Sequence, residues 1–188
     1  QLIQASISVK QRLHWHHSNV LLAASTHQGE DELVLNLFSQ LKKKNPLLKL
    51  ILVARHPERF KKIESLARKK SDLVCRRSEI RADYDKVCDI LIGDSLGEMV
   101  LYFNMATLVI MGGTFVTHGG HNILEPAALG KAIFYGPSMY NFSAINDLFL
   151  SNKASIQVDK IDTLTEIISD YLNKPQQLAE LGSRAKLL

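Results

Sequence analysis

The sequence is poor in the features that announce several common functions. Of its 188 residues only two are cysteine and five are proline, and aromatic residues make up 7%. The cysteines, Cys75 and Cys88, form no CxxC or zinc-type spacing. We therefore expect no disulfide framework, two small core-filling residues rather than nucleophiles, and a reducing compartment. No apolar run approaches the roughly 18 residues that span a bilayer, which excludes a membrane-spanning helix in this stretch. The chain opens on Gln1-Leu2-Ile3-Gln4, without Met, a basic n-region or an apolar h-region. That excludes a signal peptide and leads us to expect a piece of a longer protein. Neither a Walker-type phosphate loop nor GxGxxG occurs, so ATP hydrolysis and dinucleotide redox chemistry lose their usual supports. A GxSxG elbow is absent too. A strong excess of one charge sign is also missing. Lys and Arg number 23 against 19 Asp and Glu, a net +4. This favours anionic ligands or membrane surfaces but is too weak for coating nucleic acid, and no nucleic-acid motif accompanies it.

What is present is an ordinary globular balance, 46% hydrophobic and 22% charged, enough to bury a core. Short apolar runs alternate with helical stretches. The runs are 19–24, 47–54, 73–75, 90–92, 108–111, 132–135 and 154–158. Between them, Leu33, Val34, Leu37 and Leu41 mark one face of a helix over 30–44, stopped by Asn45-Pro46. Further helices are expected over 58–70, 95–104, 126–129, 142–150, 161–172 and 175–186. This alternation predicts an α/β fold: a single Rossmann-like, doubly wound parallel sheet over 1–188. Residues 1–18 form an indistinct lead-in with a short helix near 7–13. The His14-Trp15-His16-His17 string reads as a surface or interdomain histidine cluster, since no carboxylate or thiolate at ligand spacing accompanies it.

The polar and glycine-rich residues fall directly after the strands, where an open parallel sheet binds its ligands. Ser25-Thr26-His27-Gln28-Gly29-Glu30 follows the first run, Arg55-His56-Pro57-Glu58-Arg59 the second and Gly93-Asp94-Ser95-Leu96-Gly97-Glu98 a third. Gly112-Gly113-Thr114 and His118-Gly119-Gly120-His121-Asn122 follow a fourth. Each has a plain reading beside the functional one. Ser25, Thr26 and Gly29 read equally as a helix start with Glu30 in its first turn. Arg55, held by the Pro57 turn, reads as a strand exit or as a partner for a phosphate or carboxylate. Gly97 costs a helix about 1 kcal/mol, so its helix is short or shaped by a ligand. Gly112, Gly113, Gly119 and Gly120 would let backbone approach a ligand where a Cβ would intrude. Asn122 and Glu125 resemble a capping box, but Pro126 argues for a helix starting at Pro126 whose free N–H groups suit an anion. Glu125 is then left to accept from ribose hydroxyls.

The strings Ser25-Thr26-His27-Gln28-Gly29-Glu30, Arg55-His56-Pro57-Glu58-Arg59-Phe60, Gly93-Asp94-Ser95-Leu96-Gly97-Glu98 and 118–131, which contains His-Gly-Gly-His-Asn-x-x-Glu-Pro, resemble the C-terminal domain of 3-deoxy-D-manno-octulosonic acid (Kdo) transferases over roughly residues 20–150. The resemblance implies the donor-binding half of a GT-B glycosyltransferase of family GT30, which transfers Kdo from CMP-Kdo to a lipid A precursor in lipopolysaccharide assembly. Carried over by residue, it implies CMP contacts from Arg55, His56, Leu96, Gly97, Glu98, Met99, Asn122, Ile123, Leu124 and Glu125. Ser25, Thr26, Gly29, Glu30, Gly112, Gly113, Gly119, Gly120 and His121 would support them. It further implies no metal or other cofactor, a catalytic carboxylate in an N-terminal domain outside this sequence, and a parent protein at the cytoplasmic face of the inner membrane of Gram-negative bacteria. The fragment alone would be inactive. Ile123 and Ala132 stand where the family usually has Pro, and Asp31 where a second Glu is common. Two other readings are a GT-B transferase or epimerase using a UDP-sugar and a noncatalytic Rossmann-like interaction module.

Overall fold

The computed structural model describes residues 2–188. Seven parallel strands form one sheet: β1 (Val20–Thr26), β2 (Lys49–Ala54), β3 (Val74–Arg76), β4 (Ile90–Ile92), β5 (Leu108–Met111), β6 (Ala132–Tyr135) and β7 (Ile156–Gln157). Their order across the sheet is β3-β4-β2-β1-β5-β6-β7. The helices are α1 (Leu2–Arg12), α2 (Glu30–Lys44), α3 (Phe60–Arg68), α4 (Met99–Met105), α5 (Leu124–Ala128), α6 (Ser143–Ser151), α7 (Ile161–Leu172) and α8 (Pro175–Lys186). None is long and apolar enough to cross a membrane among the described residues.

The central strands β1, β2, β4, β5 and β6 are largely apolar because both faces of the sheet are covered. Along β1, Leu21 and Ala23 join one core with Leu50, Leu52, Ile110 and Phe134, packed under α2, α3 and α7 by Val34, Phe38, Ile63 and Ile168. The alternate residues Val20, Leu22 and Ala24 join the other, with Val109, Tyr135, Leu101, Phe103 and Phe149 from the opposite layer. A fully buried Leu, Ile or Phe contributes about 1.5–3 kcal/mol, so two such layers hold the sheet rigid. One polar cluster interrupts them: the ammonium groups of Lys42 and Lys49 lie 2.9 and 2.7 Å from the Asp89 carboxylate at the amino edge of β2.

The lead-in segment is structured. The α1 helix starts well before residue 7, and the buried Trp15 donates its indole N–H to the Cys88 carbonyl at 2.7 Å. Against the sequence expectation, Cys75 and Cys88 are bonded to each other. Both are core residues as expected, 2% and 0% exposed. β3 lies beside β4, with Cys88 just ahead of β4, and so brings together two side chains that no sequence motif pairs.

Two helices begin elsewhere than their patterns suggest. α4 starts at Met99, not Ser95, because Gly97 at φ 76° forms a left-handed turn ahead of it. α5 starts at Leu124, not Pro126, which places Pro126 at its third position, where an N–H has no intrahelical partner anyway.

Candidate functional site at the carboxyl rim

The chain runs from β1 to β2, out to the edge strand β3 and back one place to β4, then crosses to the other side of β1 for β5. The order therefore reverses between β1 and β5, and an open sheet binds its ligands beyond the carboxyl ends of its strands near such a point. Ser25, Val53, Ala54, Arg55, Phe60, Ser95, Leu96, Gly97, Met99 and Tyr102 line a cleft of about 160 Å³ on the β2–β4 side of that point. Taking roughly 30 Å³ per water, that is room for a base-sized group. It joins the loops after β1, β2 and β4, and Ser25, Arg55, Leu96, Gly97 and Met99 are all residues singled out from sequence. Arg55 and His56 are exposed, and the Arg55 guanidinium makes no ion pair among the described residues. A Cβ on Gly97 would meet nothing within 4 Å, so this turn borders open space. Ser25 takes φ 58° within β1, a left-handed conformation that costs an L-residue roughly 1–2 kcal/mol.

Most of the other expected residues build the rim. Glu30 is 1% exposed. One carboxylate oxygen accepts the His27 and Gly113 N–H groups at 2.8 and 2.7 Å, and the other accepts Thr114 and Phe115 at 3.0 and 2.9 Å. It clamps the β1 loop to the β5 loop and has no capacity left for a ligand. Thr26 is 1% exposed and donates to Asp31 at 2.7 Å. Asp31 also pairs with Arg59, whose other nitrogen donates to the Thr26 carbonyl at 2.6 Å. Burial first raises the Asp31 carboxyl above its usual range, while Thr26 and Arg59 pull against that shift.

The glycines are correspondingly reassigned. A Cβ on Gly112 would strike the Ser25 carbonyl and Thr26 Cα, on Gly119 the Asn141 amide, and on Gly120 the Met139 sulfur. Gly113 faces the rings of His27 and His121. Their missing side chains admit protein atoms, not a ligand. Gly29 turns the chain at φ 97° into α2.

In the β5–α5 loop, Ile123 is fully buried, so its side chain belongs to the core. Asn122 Oδ1 accepts the Leu124 N–H at 2.9 Å, and α5 has five residues, so the anion-binding helix start expected at Pro126 is not formed. Leu124 and Glu125 are exposed on that first turn but do not line the cleft. Glu98 is half-engaged: it takes a 2.7 Å contact from Arg77 and another from Ser95. Beside it, burial pushes the Tyr102 hydroxyl up to about 12.

Sequence reasoning passed over Arg59, Asp31, His27 and His118 as site-forming residues. The last two join His121 in a group of three imidazoles. Burial, followed by the charges of His27 and Arg55, lowers His121 to about 4; burial and then His118 lower His27. The only available signal was the recurrence of His at both ends of Gly119-Gly120 and after β1.

No protein-family model matches this chain. It is 34% identical over 165 residues, 87% of its length, to the 3-deoxy-D-manno-octulosonic acid transferase of Haemophilus influenzae. It is 35% identical over 92% of its length to that of Rickettsia bellii. The chain is a homologue of the Kdo transferases. It spans 38% and 41% of the length of these two relatives. Among solved structures, the C-terminal CMP-Kdo binding domain of WaaA from Acinetobacter baumannii superposes with a TM-score of 0.88 at 27% identity, covering 98% of this chain and 95% of that one. Anabaena HepE in complex with UDP-glucose gives a TM-score of 0.70 at 15% identity, covering 97% of this chain and 47% of that one, and shares the fold. The Kdo transferase homologue thus has the α/β architecture expected from its strand–helix alternation.

Proposed function

We propose that this chain is the donor-binding domain of a Kdo transferase and holds CMP-Kdo at the carboxyl rim between β1, β2 and β4. The observation that carries this reading is the cleft joining Ser25, Arg55, Leu96, Gly97 and Met99, in a chain similar over nearly its whole length to a CMP-Kdo binding domain. Arg55 lines that cleft without an ion pair among the described residues and suits the single phosphate, which a guanidinium grips through two N–H groups. The turn from Leu96 to Met99 borders the space for the base. Asn122 and Glu125 lie outside that cleft, at the start of α5, where an exposed carboxylate serves the ribose hydroxyls.

In this reading the oxygen of an acceptor hydroxyl forms a bond to the anomeric carbon of Kdo, and the bond from that carbon to the phosphate oxygen breaks. The electron pair leaves with CMP, and the acceptor proton passes to a carboxylate outside this chain. Arg55 neutralises the charge gathering on the departing phosphate, a task here given to a guanidinium and not to a metal ion. The acceptor is a lipid A precursor, and the whole enzyme works at the inner face of the bacterial inner membrane. The exposed Lys43, Lys44, Lys61 and Lys62 supply positive charge toward anionic lipid, whereas Lys42 is held by Asp89.

Calorimetric titration with CMP, UMP and UDP tests the donor assignment. We expect CMP to bind, UMP to bind more weakly, and Arg55→Ala to lose at least tenfold in affinity. No CMP binding, or binding indifferent to Arg55, refutes the assignment. A preference for UDP points instead to a UDP-sugar enzyme.

A further inference from the structure

Three imidazoles meet where the loop after β1 faces the loop after β5. His27 Nε2 lies 2.9 Å from His121 Nε2; the ring planes differ by 13° and the centroids are 5.1 Å apart, so the two rings meet nearly end to end. The His118 ring centroid lies 3.7 Å from that of His27. One nitrogen from each of the three falls within 4.8 Å of the others. A tetrahedral ion bound by imidazoles at 2.0–2.1 Å needs its nitrogens roughly 3.3 Å apart. To face one ion, the His27 and His121 rings have to turn until each nitrogen points roughly 35° off the line joining them, and the exposed His118 has to swing its side chain.

The backbone beneath the group is fixed. The His27 N–H donates to Glu30 at 2.8 Å, while the Glu30 N–H donates back to the His27 carbonyl at 3.1 Å. Gly113, at φ 69°, opens the floor: a Cβ there would come within 3.2 Å of the His121 ring and 3.3 Å of His27. The donor set is three imidazole nitrogens with no carboxylate among them, which suits Zn²⁺, Co²⁺ or Ni²⁺ and disfavours Mg²⁺ and Ca²⁺. Among the nearby charges, Arg55 and Arg59 oppose a cation, whereas the Glu30 carboxylate beside His27 attracts one.

We infer that His27, His118 and His121 form a binding site for a zinc-type divalent ion, with three imidazole ligands and a fourth position open to solvent beside His118. An ion seated there would tie the β1 loop to the β5 loop from the solvent side, as Glu30 does from within. The site needs no nucleotide; it shares His121 with the residues expected to support the donor, but charge on the phosphate is met by Arg55.

The test is titration of the untagged, chelator-stripped chain with Co²⁺ alone, followed by visible absorption and then by Zn²⁺ competition. We expect the ligand-field bands of four-coordinate Co²⁺ to saturate at one equivalent and to vanish on adding Zn²⁺. His118→Ala and His121→Ala should each weaken Co²⁺ on the order of tenfold or more, the scale on which even outer-shell changes act. His16→Ala, in the separate surface group of His14, His16 and His17, should change nothing. His118 is exposed, so its variant keeps the fold, which circular dichroism checks. Absence of saturable bands, bands that persist in both His118→Ala and His121→Ala, or loss on His16→Ala overturns the inference.

Discussion

Glu30→Gln isolates the clamp that joins the loop after β1 to the loop after β5. The carboxylate accepts four backbone N–H groups, two on each oxygen, and is itself buried. A glutamine keeps one oxygen and turns an NH₂ group toward the other pair, leaving two buried donors facing a donor. Each buried donor without a partner costs about 1–3 kcal/mol, so the substitution should destabilise by roughly 2–6 kcal/mol. A central value near 4 kcal/mol lowers Tm by about 8–16 °C for a domain of this size. Urea unfolding with linear extrapolation reads the free energy, and an unchanged m-value shows that stability changed without a change in the surface exposed on unfolding. Glu30→Asp keeps the charge on an arm one methylene too short and should also be destabilised. If Glu30→Gln unfolds within about 1 kcal/mol of the parent, the four contacts do not carry the loops and the account of the rim fails.

Three more substitutions separate the roles assigned above. Gly112→Ala should cost more than about 3 kcal/mol, because its Cβ would meet the carbonyl and Cα of the Ser25–Thr26 kink and not a movable side chain; a loss below about 1 kcal/mol in urea unfolding refutes that packing. Asp89→Asn leaves the largely buried Lys49 ammonium without its carboxylate and should cost about 3 kcal/mol at pH 7. Burial alone would raise Asp89, but Lys49 and Lys42 outweigh it and hold its folded value below the ordinary one. The contribution is therefore complete above the unfolded value and lost as pH falls through the folded value, so parent and variant stabilities should converge in acid; a gap that stays constant down to pH 3 contradicts the ion pair. Glu125→Gln should weaken CMP severalfold yet leave 2′-deoxy-CMP nearly unaffected, by calorimetry; equal losses for both would remove Glu125 from the ribose.

The sheet was legible because its central strands are built on short apolar runs, broken only at their ends, and each long helix carries a 3.6-residue stripe. The bounds of α2, α7 and α8 coincide with the sequence expectation. The short helices α4 and α5 were misplaced, since turns at Gly97 and Asn122 decide where they begin and neither leaves a periodic signal. The pairing of Cys75 with Cys88 depends on the adjacency of β3 and β4, which are consecutive in sequence but sit outboard of β2. Which ends of the strands carry the site could be read from where the polar strings fall. Which members of those strings face solvent could not, because Glu30 and Gly112 have the same residue types as Glu125 and Gly97 and differ only in what packs against them.

The two arginines of the Arg-His-Pro-Glu-Arg string put that difference to a direct test. Arg59 is held between the Asp31 carboxylate and the Thr26 carbonyl, and Asp31 is 3% exposed. Removing Arg59 strands a buried carboxylate, a loss of about 3–5 kcal/mol that protonation of Asp31 can partly offset. Arg55, exposed and without an ion pair among the described residues, should cost less than about 0.5 kcal/mol on truncation while taking CMP affinity with it. Urea unfolding and CMP calorimetry on Arg55→Ala and Arg59→Ala, side by side, should therefore show opposite patterns: a stable protein that does not bind, and a destabilised one that still binds when folded at low temperature. Were Arg55→Ala the less stable of the two, Arg55 would be part of the scaffold, and the cleft would have lost the cation that its anion-binding chemistry requires.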